Sequence, residues 1–480
     1  MPKTADEAPV RGPAAEGVKA PADMSKLFGG RGTRESRVEA GKAARQRVPR
    51  AQLATCTLVE RDPIALLEKS NEGRLPNLIP IRYGRMLANP FAFYRGAASL
   101  MAFDLAKLPN TEITVQLSGD AHLANFGLFA SPERHVLFGP NDFDETLPGP
   151  FDWDVRRLAA SFVIAARERG FKQSDQRAIV RRLCAKFREQ IAGFSTMDTL
   201  DIWYYQFAAE NMLAIADTAL ERKKEKAVIN KARTQSSRTA MSHATELVNG
   251  RLRIKDEPPL VHHFPMENRE QAKQFDELVR RFLAEYRHTL PADRCALLDR
   301  YELVDMAVRV VGVGSVGTRC FEALFMADGQ CPLFLQIKEA NVSVLEAYLP
   351  PSRFANHGQR VVNGQHLLQS ASDIFLGWSR ISTMGKDFYV RQLRDMKGAF
   401  DFASFDGSDL SEYAVSCGHA LAHSIAKAGD PALVLGYVGK SDAFDEAIAD
   451  FAQAYAERNE ADWAGLKAAV KGGRVQVVRE

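Results

Sequence analysis

Gly119-Asp120-Ala121-His122-Leu123-Ala124-Asn125, followed downstream by Asn141-Asp142-Phe143-Asp144, is the stretch on which the reading of this chain turns. Each motif stands at the end of a short apolar run. Ile113–Leu117 leads into Gly119-Asp120, and His135–Phe138 leads into Asn141-Asp142. Both runs read as strands and both motifs as the turns that close them. Asp, Asn and Gly favour turns on conformational grounds alone, and simple connectors are therefore one reading. The density of polar groups argues for more. Asp120, His122, Asn125, Asn141, Asp142, Asp144 and Glu145 fall in two adjacent strand-turns. Clustered carboxylates repel unless a cation or proton lies among them. Oxygen donors of this kind suit Mg²⁺, and the pair of turns reads as a metal and phosphate site.

The spacing from Asp120 to Asn125 is that of a kinase catalytic loop, in which the Asp takes the proton of the substrate hydroxyl and the Asn binds Mg²⁺. Asp142 follows on the next turn as a metal-ligand candidate, with Asp144 as an auxiliary. His122 is read as part of the catalytic loop. It is either a metal ligand or, as preferred, a residue that orients the loop by hydrogen bonding. Asp154, at the head of a helix, either holds that loop or acts as a simple N-cap.

Further out, Met306–Val311 reads as a strand, then Gly312-Val313-Gly314-Ser315-Val316-Gly317, a second strand Arg319–Met326, a turn at Asp328-Gly329 and a third strand Pro332–Lys338. A GxGxxG that opens a helix marks a dinucleotide fold. Between two strands it matches the kinase glycine loop that covers phosphates. Lys338 closes an apolar strand, where an unpaired ammonium is costly. The phosphates of ATP would supply its counter-charge. Gly312, Gly314, Ser315, Gly317 and Lys338 are the nucleotide-binding candidates, with Glu346 as a possible partner for the lysine. A plain hairpin with a lysine at its rim is the competing reading. A helix at about 360–370 and strands at 373–378 and 388–393 complete this segment.

The remainder frames these motifs. The chain has 480 residues, 46% of them hydrophobic, with a net charge of +3. That charge is too small to make nucleic acid the main partner. No run of about 18 apolar residues suggests a membrane helix. The N-terminus lacks the apolar core of a secretory signal, and a cytoplasmic protein is expected. None of the six cysteines forms a CxxC pair, so neither a zinc site nor a disulfide frame is signalled. Residues 1–60 read as a disordered basic tail, with 11 Lys/Arg against 6 Asp/Glu in the first fifty positions. Residues 61–300 read as a helical lobe carrying the catalytic loop, and 301–400 as a sheet lobe. Residues 401–480 read as C-terminal helices packing on the helical lobe.

GDAHLAN at 119–125 closely resembles the GDxHxxN loop of aminoglycoside and choline kinases. Asp142-Phe143-Asp144 is similar to their metal-binding segment, and Asp152-Trp153-Asp154-Val155-Arg156-Arg157-Leu158 to the stretch after it. From about Asp62 onward the chain also resembles an uncharacterised bacterial family of unknown function. The stretches that carry this second resemblance are RYGRM (82–86), PFAFYRG (90–96), GDAHLANFG (119–127), NDFDETLPGP (141–150) and FYVRQLRDMKG (388–398). The kinase resemblance implies an α+β, two-lobed fold binding ATP and Mg²⁺ and acting on a hydroxyl-bearing acceptor. The order is reversed here, because 119–142 precede 312–338, so it further implies circular permutation. Such a rearrangement is tolerated where the original termini lie close together at the surface. Competing functions are a metal-dependent hydrolase built on Asp120, His122, Asp142 and Asp144, and a non-catalytic nucleotide-binding regulator.

Overall fold

The computed structural model describes residues 32–478 apart from 58, 216–217, 311 and 399. Its architecture is mixed, with long helices and one six-stranded antiparallel sheet, which agrees with the α+β class. Among the described residues, no helix is long and apolar enough to cross a membrane.

The helical lobe forms around Asp152–Glu168. Every residue of that helix from Asp152 to Ala166 is buried. A helix buried around its whole girth must be wrapped on all sides. Gln173–Phe194, Gly407–Ala428 and Ala443–Lys471 do the wrapping. The starts of Gly407–Ala428 and of the neighbouring Pro431–Val438 are fixed locally. Asp406 accepts from the backbone N–H groups of Ser408 and Asp409, and Asp430 accepts from Ala432 and Leu433 ahead of Pro431–Val438.

Four short strands lie on this lobe: β1 (Thr114–Leu117), β2 (Phe126–Ala130), β3 (Val136–Pro140) and β4 (Leu147–Pro150). They pair as two antiparallel ladders, β1 with β4 and β2 with β3. The second pairing decides the site. It brings the end of the 119–125 loop beside the start of the 141–144 turn, and Asn141 N–H donates to Asn125 O at 2.8 Å. β2 and β4 do not stand out in the sequence reading.

Beyond a hairpin of β5 (Thr245–Val248) and β6 (Arg251–Ile254), the large sheet contains β7 (Val261–His262), β8 (Glu302–Arg309), β9 (Cys320–Ala327), β10 (Cys331–Ala340), β11 (Gly377–Ile381) and β12 (Lys386–Leu393). Their spatial order is β11-β12-β10-β9-β8-β7. β8, β9 and β10 form a meander, the helix His357–Leu368 follows, and β12 then pairs back against β10.

Two boundaries move. The helix Arg34–Arg47, expected inside a disordered tail, is docked on the helical lobe. Its Gly41 meets Gly436 so closely that a Cβ on Gly41 would lie 2.0 Å from Leu433 O. Arg37 pairs with Asp430, and Leu53 is fully buried. Small residues at a helix crossing replace the large apolar side chains whose absence suggested disorder. Residues 1–31, the rest of that expected tail, lie outside the described residues. The sheet lobe also begins before residue 300. Phe282, Tyr286 and Leu290 form one core with Ala323, Leu335 and Phe388, because Arg269–Arg287 lays its apolar face on the sheet.

Candidate active site

The pairing of β1 with β4 places the first turn of Asp152–Glu168 beneath the 118–120 loop. Asp154 accepts from Ser118 N–H at 2.7 Å and from Gly119 N–H at 3.1 Å, so it holds the loop and is not merely a cap. Burial nevertheless raises its carboxyl to about 6, against the pull of those two N–H groups. Gly119 has φ +83°, and a Cβ there would stand 2.3 Å from Glu145 O. Only glycine fits at that crossing.

One helical turn past Asp154, Arg157 reaches the same loop. Its Nε donates to Asp120 Oδ1 at 2.5 Å, and its guanidinium lies 4.4 Å from the centre of the Tyr94 ring. Burial pushes the Asp120 carboxyl up to about 7, Arg157 opposes the rise and Asp142 adds to it. Asn125 uses its Nδ2 to donate to Asp120 O at 2.9 Å, which leaves its Oδ1 as a free acceptor end. Asp142 Oδ1 accepts from Asp144 N–H at 3.2 Å, and its Oδ2 lies 4.0 Å from Lys338 Nζ.

His122 behaves differently from the expectation of a hydrogen-bonding loop residue. Its ring is buried and packs edge-on against Phe91. Its Nε2 stands 3.8 Å from Asp120 Oδ2, too far for a hydrogen bond, and Nδ1 has no partner. Burial holds its pKa well below the usual histidine range, so the ring is neutral near pH 7.

The sheet lobe meets this loop across a cavity of about 160 Å³. Asp120, His122, Asn125, Asp142, Asp144, Gly312, Gly314, Ser315 and Lys338 all line it. Residues nearly two hundred positions apart are therefore brought to one place. Lys338 forms its ion pair with Asp144, and its side chain is only 3% exposed. Burial works against the ammonium, but Asp142 and Asp144 outweigh it and hold the pKa well above the ordinary value. Asp144 also accepts from Tyr389 Oη at 2.8 Å and Ser315 Oγ at 3.2 Å. Its oxygens are thus engaged by protein donors, which makes it the lysine's counter-ion in place of an auxiliary metal ligand.

Two expectations are corrected. Glu346 does not meet Lys338. It caps the turn at Ser343 and Ser352 and lies 3.8 Å from Arg360, because the 3₁₀ turn Val344–Ala347 faces it away from β10. Gly317 does not line the cavity. It takes φ +92° in the turn that enters β9 and packs against Arg74.

Several arginines in or beside the cavity were given no role by the sequence. Arg74 donates to Gly314 O at 2.9 Å and Val316 O at 2.5 Å, which fixes the glycine loop to the helical lobe. Arg391 links Gln336 of β10 to Asn141 O. Arg360 donates to the carbonyls of Asp144 and Thr146, both at 2.8 Å. Arg95 also lines the cavity, and its Nε is buried without a partner. Arg157, which grips Asp120 from behind the loop, had a usable signal, since it lies three positions after Asp154 and so on the same helical face.

Among the described residues, no three His, Cys, Asp or Glu side chains converge as a metal cage. Mg²⁺ characteristically keeps waters and substrate phosphates and takes only one or two carboxylates. Asp142 with the Asn125 amide fits that sparse requirement.

Residues 74–469 match the family model described as "Uncharacterized protein conserved in bacteria (DUF2252)". No curated protein and no solved structure matches the chain.

Proposed function

Since the chain belongs to the DUF2252 family of uncharacterised bacterial proteins, whose description carries no activity, we propose from the site alone that it is a Mg²⁺- and ATP-dependent phosphotransferase acting on a hydroxyl-bearing acceptor. The observation that carries this reading is the shared cavity of Asp120, Asn125, Asp142, Lys338 and the 312–315 loop. Kinases use those same parts: a base, an amide and a carboxylate for metal, a glycine loop over the phosphates and a strand lysine.

The order of elements within the sheet supports the reading as well. Lys338 stands on the third strand of the β8-β9-β10 meander, with the glycine loop between the first two. In kinases the lysine pairs with a glutamate of the following helix. Here His357–Leu368 contains no acidic residue, and Asp144 takes that part. The last described helix packs back beside the first helices of the same lobe. Arg61 joins Asp104 to Asp462, and Val478 N–H donates to Pro80 O.

In the reaction, the acceptor hydroxyl attacks the γ-phosphorus and passes its proton to Asp120. A P–O bond to the acceptor forms, the β–γ bond breaks and ADP leaves. Mg²⁺, when held by Asn125 and Asp142, supplies neutralisation of phosphate charge. Lys338 and Arg95 provide fixed positive charge on the other sides of the cavity, where preorganised groups act most strongly.

The hydrolase alternative requires Asp144 and His122 as metal ligands. The protein-bound state of the first and the buried ring of the second speak against it. The experiment is a transfer assay with Mg²⁺, ATP and a panel of acceptors, run on wild type and Asp120→Asn. Loss of turnover with ATP binding retained supports the assignment, and equal loss of both counts against it.

A further inference from the structure

The cleft around Lys338 is closed where a nucleoside would continue from the phosphates. Two residues before the lysine on the same sheet face is Gln336, whose amide oxygen accepts from Arg391 at 2.8 Å. Opposite Gln336 in the register stands Glu322, fully buried and paired with Arg309 and Arg394. A flat base needs an apolar slot, and here that face carries a charged network. Opening that face to a base would strand buried charge, which strongly disfavours it.

The chain itself covers the face beyond this network. The helix Ser237–Ala244 and the β5–β6 hairpin pack Met241, Ala244 and Ile254 against Leu324 and Phe334. The linker leaving β12 is tied down at two points, and its Asp395 and Lys397 line a second cavity of about 270 Å³ that has Arg391 in common with the Lys338 site. Met396 N–H donates to Gln235 O at 2.9 Å, and Gly398 pairs through both its N–H and C=O with Leu128. The cavity that remains, about 160 Å³, has no Phe, Tyr or Trp in its lining. Small-molecule pockets usually measure about 300–1,000 Å³. On the opposite side the cavity continues into a groove of about 490 Å³ whose lining mixes acidic Glu72 and Glu145 with basic Lys69, Arg74 and Lys386 and carries a single aromatic ring, Tyr348. Its mixed charges suit a hydroxyl-rich acceptor better than a stacked base.

On the basis of the phosphotransferase reading, we infer that this site recognises its donor through the phosphate chain alone. Inorganic tripolyphosphate and all nucleoside triphosphates are then equivalent to it. With tripolyphosphate as donor, the terminal P–O–P bond breaks and a P–O bond to the acceptor oxygen forms. The hydroxyl proton passes to Asp120 and pyrophosphate leaves.

The test is thermal shift and calorimetric titration of the full chain with Mg²⁺ and, separately, ATP, GTP, CTP, tripolyphosphate and adenosine. The expected result is four triphosphate affinities within about threefold of one another and no response to adenosine. ATP binding more than about tenfold tighter than both CTP and tripolyphosphate overturns the inference and leaves the phosphotransferase reading intact. No response to any of the four triphosphates removes both.

Discussion

Arg157 Nε sits 2.5 Å from Asp120 Oδ1, one helical turn after the carboxylate of Asp154 that holds the backbone of the same loop. The candidate base is thus fixed by two residues of one rigid helix, its backbone by one and its carboxylate by the other. Oδ1 is committed, and Oδ2 is the oxygen available to accept a proton.

Arg157→Lys keeps the positive charge but removes the planar fork that grips the carboxylate. A looser base costs catalysis more than binding. We expect kcat to fall by about 10²-fold with KM for the donor little changed. Arg157→Ala leaves Asp120 buried without its partner and destabilises the fold by about 3–5 kcal/mol. Urea denaturation reads the second effect and steady-state kinetics the first. A proportional rise in KM for Arg157→Lys would show that the arginine serves binding.

Asp120 also predicts a pH dependence. Its carboxyl is raised from 3.8 to about 7 in the folded protein. The native state therefore holds a proton that the unfolded chain has already released between those values. This group's contribution to stability is full below about pH 3.8 and is lost as pH rises through about 7. Metal-free wild type should lose stability between about pH 4 and pH 7, and Asp120→Asn should lose less. Activity moves the opposite way, rising through about pH 7 as the base ionises. Parallel stability curves for the two proteins would place the raised group elsewhere.

The pair Lys338–Asp144 is suited to a double-mutant cycle. Either single change, Lys338→Met or Asp144→Leu, strands one buried charge and should cost about 3–5 kcal/mol. The double variant removes both charges and should recover most of that stability while remaining inactive. Additive losses would mean that the two side chains are not coupled in solution.

How far the sequence foretold this site depends on the range of each contact. β10 was legible because Pro332–Lys338 is an apolar run bounded by a turn. The side-by-side placement of Asp120 and Asp142 was legible because each ends a strand, although the hairpin that achieves it was not. β2 begins immediately after Asn125 as Phe-Gly-Leu-Phe-Ala, a continuous apolar run interrupted by Gly127, and it has no alternation to betray a strand. The grip of Arg74 on the glycine loop spans 242 positions and leaves no local trace. The same holds for Asp144 as the partner of Lys338, which lies 194 positions away (338 − 144) and so outside the reach of local spacing. Arg34–Arg47 was missed because disorder and a glycine-mediated helix crossing share a composition poor in large apolar residues.

That docked helix supplies the last prediction. Gly41 and Gly436 meet at a crossing with no room for a side chain, since a Cβ on Gly436 would lie 2.1 Å from Val38 O. Gly41→Leu must therefore push the two helices apart. The cost falls on Tyr437, whose hydroxyl donates to Val48 O at 2.8 Å, and on Leu53, whose burial contributes roughly 1.5–3 kcal/mol. Pro431–Val438 packs in turn on Gln173–Phe194, a helix of the main core. Loss of the docked segment should lower the midpoint of global unfolding as well as fraying locally. Deletion of residues 1–54 should match Gly41→Leu in thermal shift, and both should retain triphosphate binding because the crossing lies outside the cavity lining. An unchanged melting temperature in both variants would show that this helix is a passive appendage.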